Sequence, residues 1–321
     1  MNTAKAYFVK IVTFFSIFQI IIFHNKEVRA NSTSINGNAE INYRVLGSLA
    51  GDSDGRCDRC GQGIYNPDEG GRVINGRPVK PTYKYPWIVS VLFEGATVVE
   101  CGAALISSTF VLTAAHCVFH DSPGCQSGYY SAKDCYMSPS QILVGLPDND
   151  QMRPMPLKKI IPHPRFSYAK QIYDLALLQL KQPIECTHKT SPVCLADFNL
   201  DRPGQKLIVA GWGKNTNEGA EGSMVLREGV MKQIDARRCR KPQKPHNAYM
   251  SEVCAVGTSE TSCQGDSGSS IFASYERKYF ALGVVSHGVE DDCDLTTPVA
   301  FTKLFNHMSW IKQIVTDLPK H

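Results

Sequence analysis

CGAALISSTFVLTAAHC, residues 101–117, opens on small and aliphatic residues and closes on a histidine beside a cysteine. Its stretch from Ala104 to Thr113 has the short, β-rich texture of a strand. The same texture recurs at Trp87 to Phe93, Gln141 to Val144, Leu175 to Leu180, Lys206 to Ala210, Tyr279 to Val285 and Val299 to Leu304. Many short runs punctuated by Gly, Pro and Asp predict an all-β sandwich or barrel. At the end, Leu304, Met308, Ile311 and Val315 recur at helical spacing through Trp310, which predicts a terminal amphipathic helix capping the barrels.

The 321 residues, 43% hydrophobic and 20% charged, have a globular balance. A formal charge of +4 with no block of five or six Lys or Arg leaves no footprint for nucleic acid or an acidic membrane. Residues 1–30 place Lys5 and Lys10 ahead of an apolar run from Ile11 to Phe23 and end on Ala30, the pattern of a secretory signal. As a membrane anchor, the competing reading, the run is about seven residues short of the roughly 20 that span a bilayer. Residues 31–72 are polar, Gly/Asp-rich and too short for a core, so they read as a tail ahead of a domain over 73–321. Asn31-Ser-Thr33 is a glycosylation sequon just behind the expected cleavage point. Twelve cysteines behind a secretory signal imply a disulfide framework in an extracellular protein. Cys57-Asp-Arg-Cys60 lacks the second pair of ligands that a zinc site needs, so no metal is expected.

Three segments carry chemistry together: TAAHC at Thr113 to Cys117, DLALLQL at Asp174 to Leu180, and GDSG at Gly265 to Gly268. Each alone is weak, since a buried His, an Asp before a strand and a Gly-rich loop all have ordinary structural uses. Amide hydrolysis needs a hydroxyl activated by a His, and the His must be held in one tautomer by a carboxylate. Ser267, His116 and Asp174 supply those roles. The N–H groups of Gly265 and Ser267 are the expected donors to the developing oxyanion.

From Val73 to about Leu318 the chain resembles the trypsin/chymotrypsin family: VING at Val73, CGAALISS at Cys101, TAAHC, DLALL, PVCLA at Pro192, GWG at Gly211, CQGDSG at Cys263 and VSHG at Val285. The resemblance implies two packed six-stranded antiparallel β-barrels with a C-terminal α-helix, His116 and Asp174 coming from the first barrel and Ser267 from the second. It implies a serine endopeptidase with no cofactor. It also implies bridges Cys101 to Cys117, Cys239 to Cys254 and Cys263 to Cys293. The family's extra bridge near GWG needs cysteines at Leu207 and Ala273, and both are missing together. The other six cysteines then sort as Cys60 with Cys194, Cys125 with Cys135 and Cys57 with Cys186, and Cys57 and Cys60 can be exchanged.

In such a family Arg72-Val73 is an activation site, and the new Val73 amino group pairs with Asp266. The precursor then lacks a finished oxyanion hole, and the tail remains as a light chain disulfide-linked to an otherwise monomeric domain. Thr261, Ser262, Gln264, Ser286, His287, Gly288 and Val299 are the implied substrate-binding residues. Thr261 stands where trypsin has an Asp, Val299 where the family usually has Gly, and His287 where a Trp commonly lines the cleft. These departures favour cleavage after small or medium apolar residues, with a deeper chymotrypsin-like pocket as the alternative. Such an enzyme processes its own Arg72 bond poorly, so an external trypsin-like activator is expected, and serine protease inhibitors are expected partners. GDSGSS in place of GDSGGP is either harmless or the mark of a slow enzyme, and because the fold also hosts inactive homologues, a catalytically weak homologue acting as a binding protein is the competing reading. Glu290, Asp291, Asp292 and Asp294 read as a solvated acidic rim. Leu146, where calcium-binding relatives tend to place Glu, gives calcium no support.

Overall fold

The computed structural model describes residues 57–64, 77–96, 99–120, 122–127, 132–148, 151–214, 225–242, 244–258, 261–288 and 293–320. The signal, the sequon at Asn31 and the Arg72-Val73 bond lie outside them. Among the described residues no helix is long and apolar enough to cross a membrane.

A two-residue β1 (Arg77–Pro78) leads into the first barrel: β2 (Ile88–Phe93), β3 (Cys101–Leu105), β4 (Phe110–Thr113), β5 (Ile142–Asp148), β6 (Gln151–Pro162) and β7 (Ala176–Leu180). These close antiparallel in the order β2-β3-β4-β7-β6-β5. After a short β8 (Cys194–Leu195) come β9 (Lys206–Gly211), β10 (Arg227–Ile234), β11 (Glu252–Gly257), β12 (Ser270–Tyr275), β13 (Lys278–Gly288) and β14 (Val299–Lys303). The order β9-β10-β11-β14-β13-β12 closes because β9 pairs with both β10 and β12, giving a second six-stranded barrel to which β1 and β8 attach. A single turn at Leu304–His307 then runs into α1 (Met308–Ile314), which buries Met308 and Ile311.

Two expectations change in detail. The stretch Ala104 to Thr113 is two strands, because Ser107 Oγ accepts from the N–H groups of Thr109 (3.2 Å) and Phe110 (2.9 Å) and so turns the chain without Gly or Pro. β6 is a strand despite Pro154 and Pro156, since its first half pairs only with β5 and its second half, from Leu157, pairs with β7. Proline is tolerated where one edge needs no N–H donor.

An aromatic knot joins the barrels. Tyr85 and Trp87, at the entry to β2, meet Phe272 of β12 and Tyr279 of β13 with ring centroids 4.9 to 5.8 Å apart. All four are fully buried, and such pairs each contribute about 0.5–1.5 kcal/mol beyond their area. Residues 57–64 are sewn onto the second barrel: Gly61 N–H donates to Pro192 O (2.8 Å), and Tyr279 N–H donates to Gly61 O (3.0 Å). Disulfides Cys57–Cys186 and Cys60–Cys194 fix the same segment covalently.

The first barrel meets the terminal helix through two buried histidines. His163 stacks on Tyr173 (5.1 Å) and meets His307 (4.9 Å) and Trp310 (4.8 Å), while the Arg165 guanidinium lies 4.3 Å over Tyr173. Burial first, then Arg165, lowers the His163 pKa to about 4; burial, then His163 and Arg165, does the same to His307. Each folded pKa lies below the unfolded 6.5, so the unfolded chain takes up protons first as pH falls. The stability present above pH 6.5 is therefore lost as pH drops toward 4. Calorimetry should show Tm falling across that window and a shallower fall in His307→Phe; equal slopes would dismiss the histidines as the cause.

Candidate active site

His116 stands on the turn that follows β4 (His116–Val118), where Thr113 Oγ1 donates to Gly102 O (2.9 Å) and Cys117 is bonded to Cys101. Asp174 sits two residues before β7, after Tyr173, whose backbone has the unusual φ of 54°. These elements bring His116 Nδ1 to 2.7 Å from Asp174 Oδ2, and the His116 N–H donates to Asp174 Oδ1 at 2.9 Å. From the second barrel, Ser286 Oγ donates to Asp174 Oδ2 at 2.6 Å, and Thr302 Oγ1 donates to the Asp174 carbonyl at 3.1 Å. Burial pushes the Asp174 pKa up, but the His116 charge and these hydrogen bonds outweigh it and hold the carboxyl below the usual range. Burial likewise opposes the charged His116 ring, yet the charge and hydrogen bond of Asp174 leave its pKa above 6.5. The bonded Nδ1 faces the carboxylate, so Nε2 is the nitrogen left to take a proton.

Ser267 lies in the loop before β12, between β3 and β13. Its carbonyl accepts from Gly102 N–H (2.8 Å), while Gly268 N–H donates to Val285 O (3.0 Å). Gly268 has φ +79°, and a Cβ there would stand 2.4 Å from Gly102 O, so only glycine fits. Among the described residues no hydrogen bond joins Ser267 Oγ to the His116 ring, and His116 Nε2 is 3.8 Å from Cys117 Sγ. Gly265, one of the expected oxyanion donors, has φ +94°.

Asp266 is buried at 9% exposure. Its Oδ1 accepts from Gly213 N–H and its Oδ2 from Cys263 N–H, both at 2.9 Å. A Cβ on Gly213 would lie 2.6 Å from the carboxyl, which explains the glycine of GWG. Burial outweighs the two hydrogen bonds and raises the Asp266 pKa to about 6.

The expected substrate-binding residues lie on the segment leading to Ser267, at the end of β13 and at the start of β14. Among the described residues, Thr261 Oγ1 and the buried Ser262 Oγ have no hydrogen-bond partner. Gln264 is exposed, its carbonyl accepting from Lys214 N–H at 2.8 Å. Val299 is 4% exposed, in one apolar cluster with Val285 and Phe301, and pairs across the ladder with Gly288. Ser286, expected only as a substrate residue, instead also holds Asp174; no local pattern could reveal a contact between residues 112 apart. His287 Nδ1 lies 3.1 Å from Ser286 Oγ. The Ser286 proton is committed to Asp174, so Nδ1–H is the donor and the buried Nε2 is left as an acceptor, with no partner among the described residues. Burial, then the charges of Lys244 and Lys241, push the His287 pKa down to about 2. Those lysines passed unnoticed in sequence because the cations around them are broken up by Cys239 and Pro242.

Six disulfides close all twelve cysteines: besides those given, Cys125–Cys135, Cys239–Cys254 and Cys263–Cys293. Cys57 and Cys60 thus go to separate partners, and the His116 neighbours Cys101 and Cys117 offer no thiolate for a metal.

Comparison with known proteins places these features. Residues 73–311 match the family model described as Trypsin. The chain is 31% identical over 247 residues to mouse "Transmembrane protease serine 11E", covering 75% of this chain and 54% of that protein. To the "Phenoloxidase-activating enzyme" of Bombyx mori it is 28% identical over 289 residues, covering 82% and 64%. To the bovine "Suppressor of tumorigenicity 14 protein homolog" it is 32% identical over 251 residues, covering 75% and 28%. The chain therefore spans less than two thirds of the length of each of these relatives. Titration of the Asp266 carboxyl by 13C NMR in the uncleaved protein should give a midpoint near pH 6; a midpoint at or below 4 would show a cation already beside it.

Proposed function

This chain belongs to the trypsin family of serine proteases, and on that premise we propose that it is a secreted serine endopeptidase made as a precursor and switched on by cleavage between Arg72 and Val73. The observation that carries the reading is the 2.7 Å pair of His116 Nδ1 with the buried Asp174, set beside the pinned loop of Ser267.

In the mechanism, Ser267 Oγ attacks the scissile carbonyl carbon as His116 Nε2 takes its proton. Asp174 holds the ring in the Nδ1–H tautomer and steadies the positive charge that forms. The tetrahedral oxyanion is met by the N–H groups of Gly265 and Ser267. His116 then returns the proton to the leaving amine, and an acyl-enzyme remains on Ser267. Water, activated by the same ring, releases it. The ring must be neutral to act, and its pKa is raised, so activity climbs on the alkaline side of 6.5.

Activation works through Asp266. Its folded pKa, near 6, exceeds the unfolded 3.8, so the stability it allows below pH 3.8 is lost as pH rises through 6. A Val73 ammonium brought beside this buried carboxylate offsets that loss and orders the Gly265–Ser267 loop.

The pocket floor at Thr261 carries no charge, and Val299 takes space where glycine leaves a slot, which supports cleavage after small or medium apolar residues. The name of the Bombyx relative, an activating enzyme, favours limited cleavage of a protein over general digestion. An external trypsin-like activator, serine protease inhibitors and a light chain held by the Cys57 and Cys60 bridges complete the reading.

After cleavage following Arg72, peptides differing only before the bond should be turned over best with Ala, Val, Thr or Leu there. Ser267→Ala should lower kcat/KM by about a thousandfold or more; turnover confined to Arg or Lys peptides would defeat the pocket assignment. The cleaved protein should run as two bands on a reducing gel and one without reductant; release of the tail without reductant would exclude the light chain.

A further inference from the structure

Ser286 and His287 are neighbours near the end of β13, and neighbouring side chains on a regular strand point to opposite faces. Here they meet, with His287 Nδ1 3.1 Å from Ser286 Oγ. The strand register accounts for it. Val285 pairs with Phe301 and His287 with Ala300, so Ser286 is an extra residue on β13 opposite two consecutive residues of β14. A bulge of this kind re-aims the side chains beside it. It turns Ser286 toward Asp174 and leaves His287 within reach of the same hydroxyl.

The protons along these contacts can be assigned one by one. Asp174 is held in its charged form, so its carboxylate can only accept. Ser286 Oγ, 2.6 Å away, therefore gives its proton to Oδ2. Only lone pairs of that oxygen remain for His287, so the ring nitrogen facing it carries a hydrogen and donates. A doubly protonated ring would donate from the same atom, and the direction holds whatever the charge of His287. From the first barrel, His116 Nδ1 donates to the same Asp174 Oδ2 at 2.7 Å.

The His287 contact governs the next one. A serine hydroxyl turns about its Cβ–Oγ bond, and an acceptor beside it would compete with Asp174 for its proton. With Nδ1–H pointing at it, the hydroxyl is left with Asp174 as its acceptor among the described residues. A donor on the hydroxyl oxygen also strengthens the bond that the hydroxyl makes. Because Oδ2 is the oxygen that orients His116, a change in the Ser286 bond reaches the ring that serves Ser267.

We propose that His287 is a positioning residue, which by donating from Nδ1 keeps the Ser286 proton on Asp174 Oδ2 and so sets how firmly Asp174 holds His116. This rests on the endopeptidase reading above and adds to it a residue that acts from outside the catalytic triad. Bulk is all that a cleft wall asks of this residue. Positioning asks for the hydrogen on Nδ1.

Substitutions separate the two roles. His287→Phe keeps a ring without a donor, His287→Asn carries an N–H donor where Nδ1 stands, and Ser286→Ala removes the group through which His287 acts. Should His287→Phe fail to fold, His287→Gln, whose donor falls at the Nε2 position, takes its place. A weaker Ser286 bond leaves more charge on Oδ2 for His116. In the full uncleaved chain, the proton NMR signal of His116 Nδ1–H should therefore move downfield in His287→Phe and return toward the parent position in His287→Asn. In the full chain cleaved after Arg72, on the peptide it turns over best, His287→Phe should lower kcat about two- to tenfold. His287→Asn should recover most of that loss, whatever either variant does to KM. Added to Ser286→Ala, His287→Phe should change kcat by less than about twofold, because the two groups act as one unit. A loss that falls on KM alone, that Asn does not recover, or that is equally large without Ser286 overturns the positioning role and leaves the endopeptidase standing. An unmoved His116 signal in His287→Phe overturns it as well, with no need of turnover. Failure of the cleaved parent to hydrolyse any peptide overturns the endopeptidase reading, and the His116 signal alone then decides the link from His287.

Discussion

A carboxylate almost shut off from water, Asp174, is the constraint on which the site depends. It accepts from the backbone and ring of His116 on the first barrel and from Ser286 on the second. An uncompensated charge at such a depth costs several kcal/mol, so the barrels must dock closely enough to deliver both sets of donors. The aromatic knot of Tyr85, Trp87, Phe272 and Tyr279 and the bridged segment at 57–64 hold them there. Packing far from the cleft thereby fixes the direction of one imidazole.

Asp266 is the same residue type in the opposite situation. It is buried too, but among the described residues its donors are two neutral N–H groups, and burial wins. The contrast shows how a charged partner, with the hydrogen bonds added to it, decides the sign of a buried carboxylate's shift. One carboxylate is stabilised in its charged form and poised for chemistry. The other stands ready for a cation, which the proposed activation supplies.

Much of this was legible in sequence because chemistry demands particular residue types at Thr113 to Cys117, Asp174 and Gly265 to Gly268. The resemblance to a family with the same landmarks then implied the paired barrels. Strands hidden from pattern reading had physical excuses: Ser107 makes a turn without a turn-forming Gly or Pro, and Pro154 and Pro156 sit where β6 lacks a second neighbour. β10, β11 and β12 went unread because their apolar residues are interleaved with charged, small or polar ones such as Lys232, Glu252 and Ser274. Contacts across the domain interface were invisible for a plainer reason. Ser286 to Asp174 and Lys241 to Gln171 join residues that share no local period, and only the docked barrels bring them together.

The central claim is that His116 and Asp174 activate Ser267 once the chain is cut after Arg72. Covalent labelling by a fluorophosphonate, with the modified residue mapped by mass spectrometry before and after that cut, tests it most directly. The account predicts slow or negligible labelling of the precursor. It predicts about one label per cleaved molecule, on Ser267, at a rate that falls as His116 is protonated and is lost in His116→Ala. A cleaved, folded protein that takes no label, or takes it on another residue, contradicts the account.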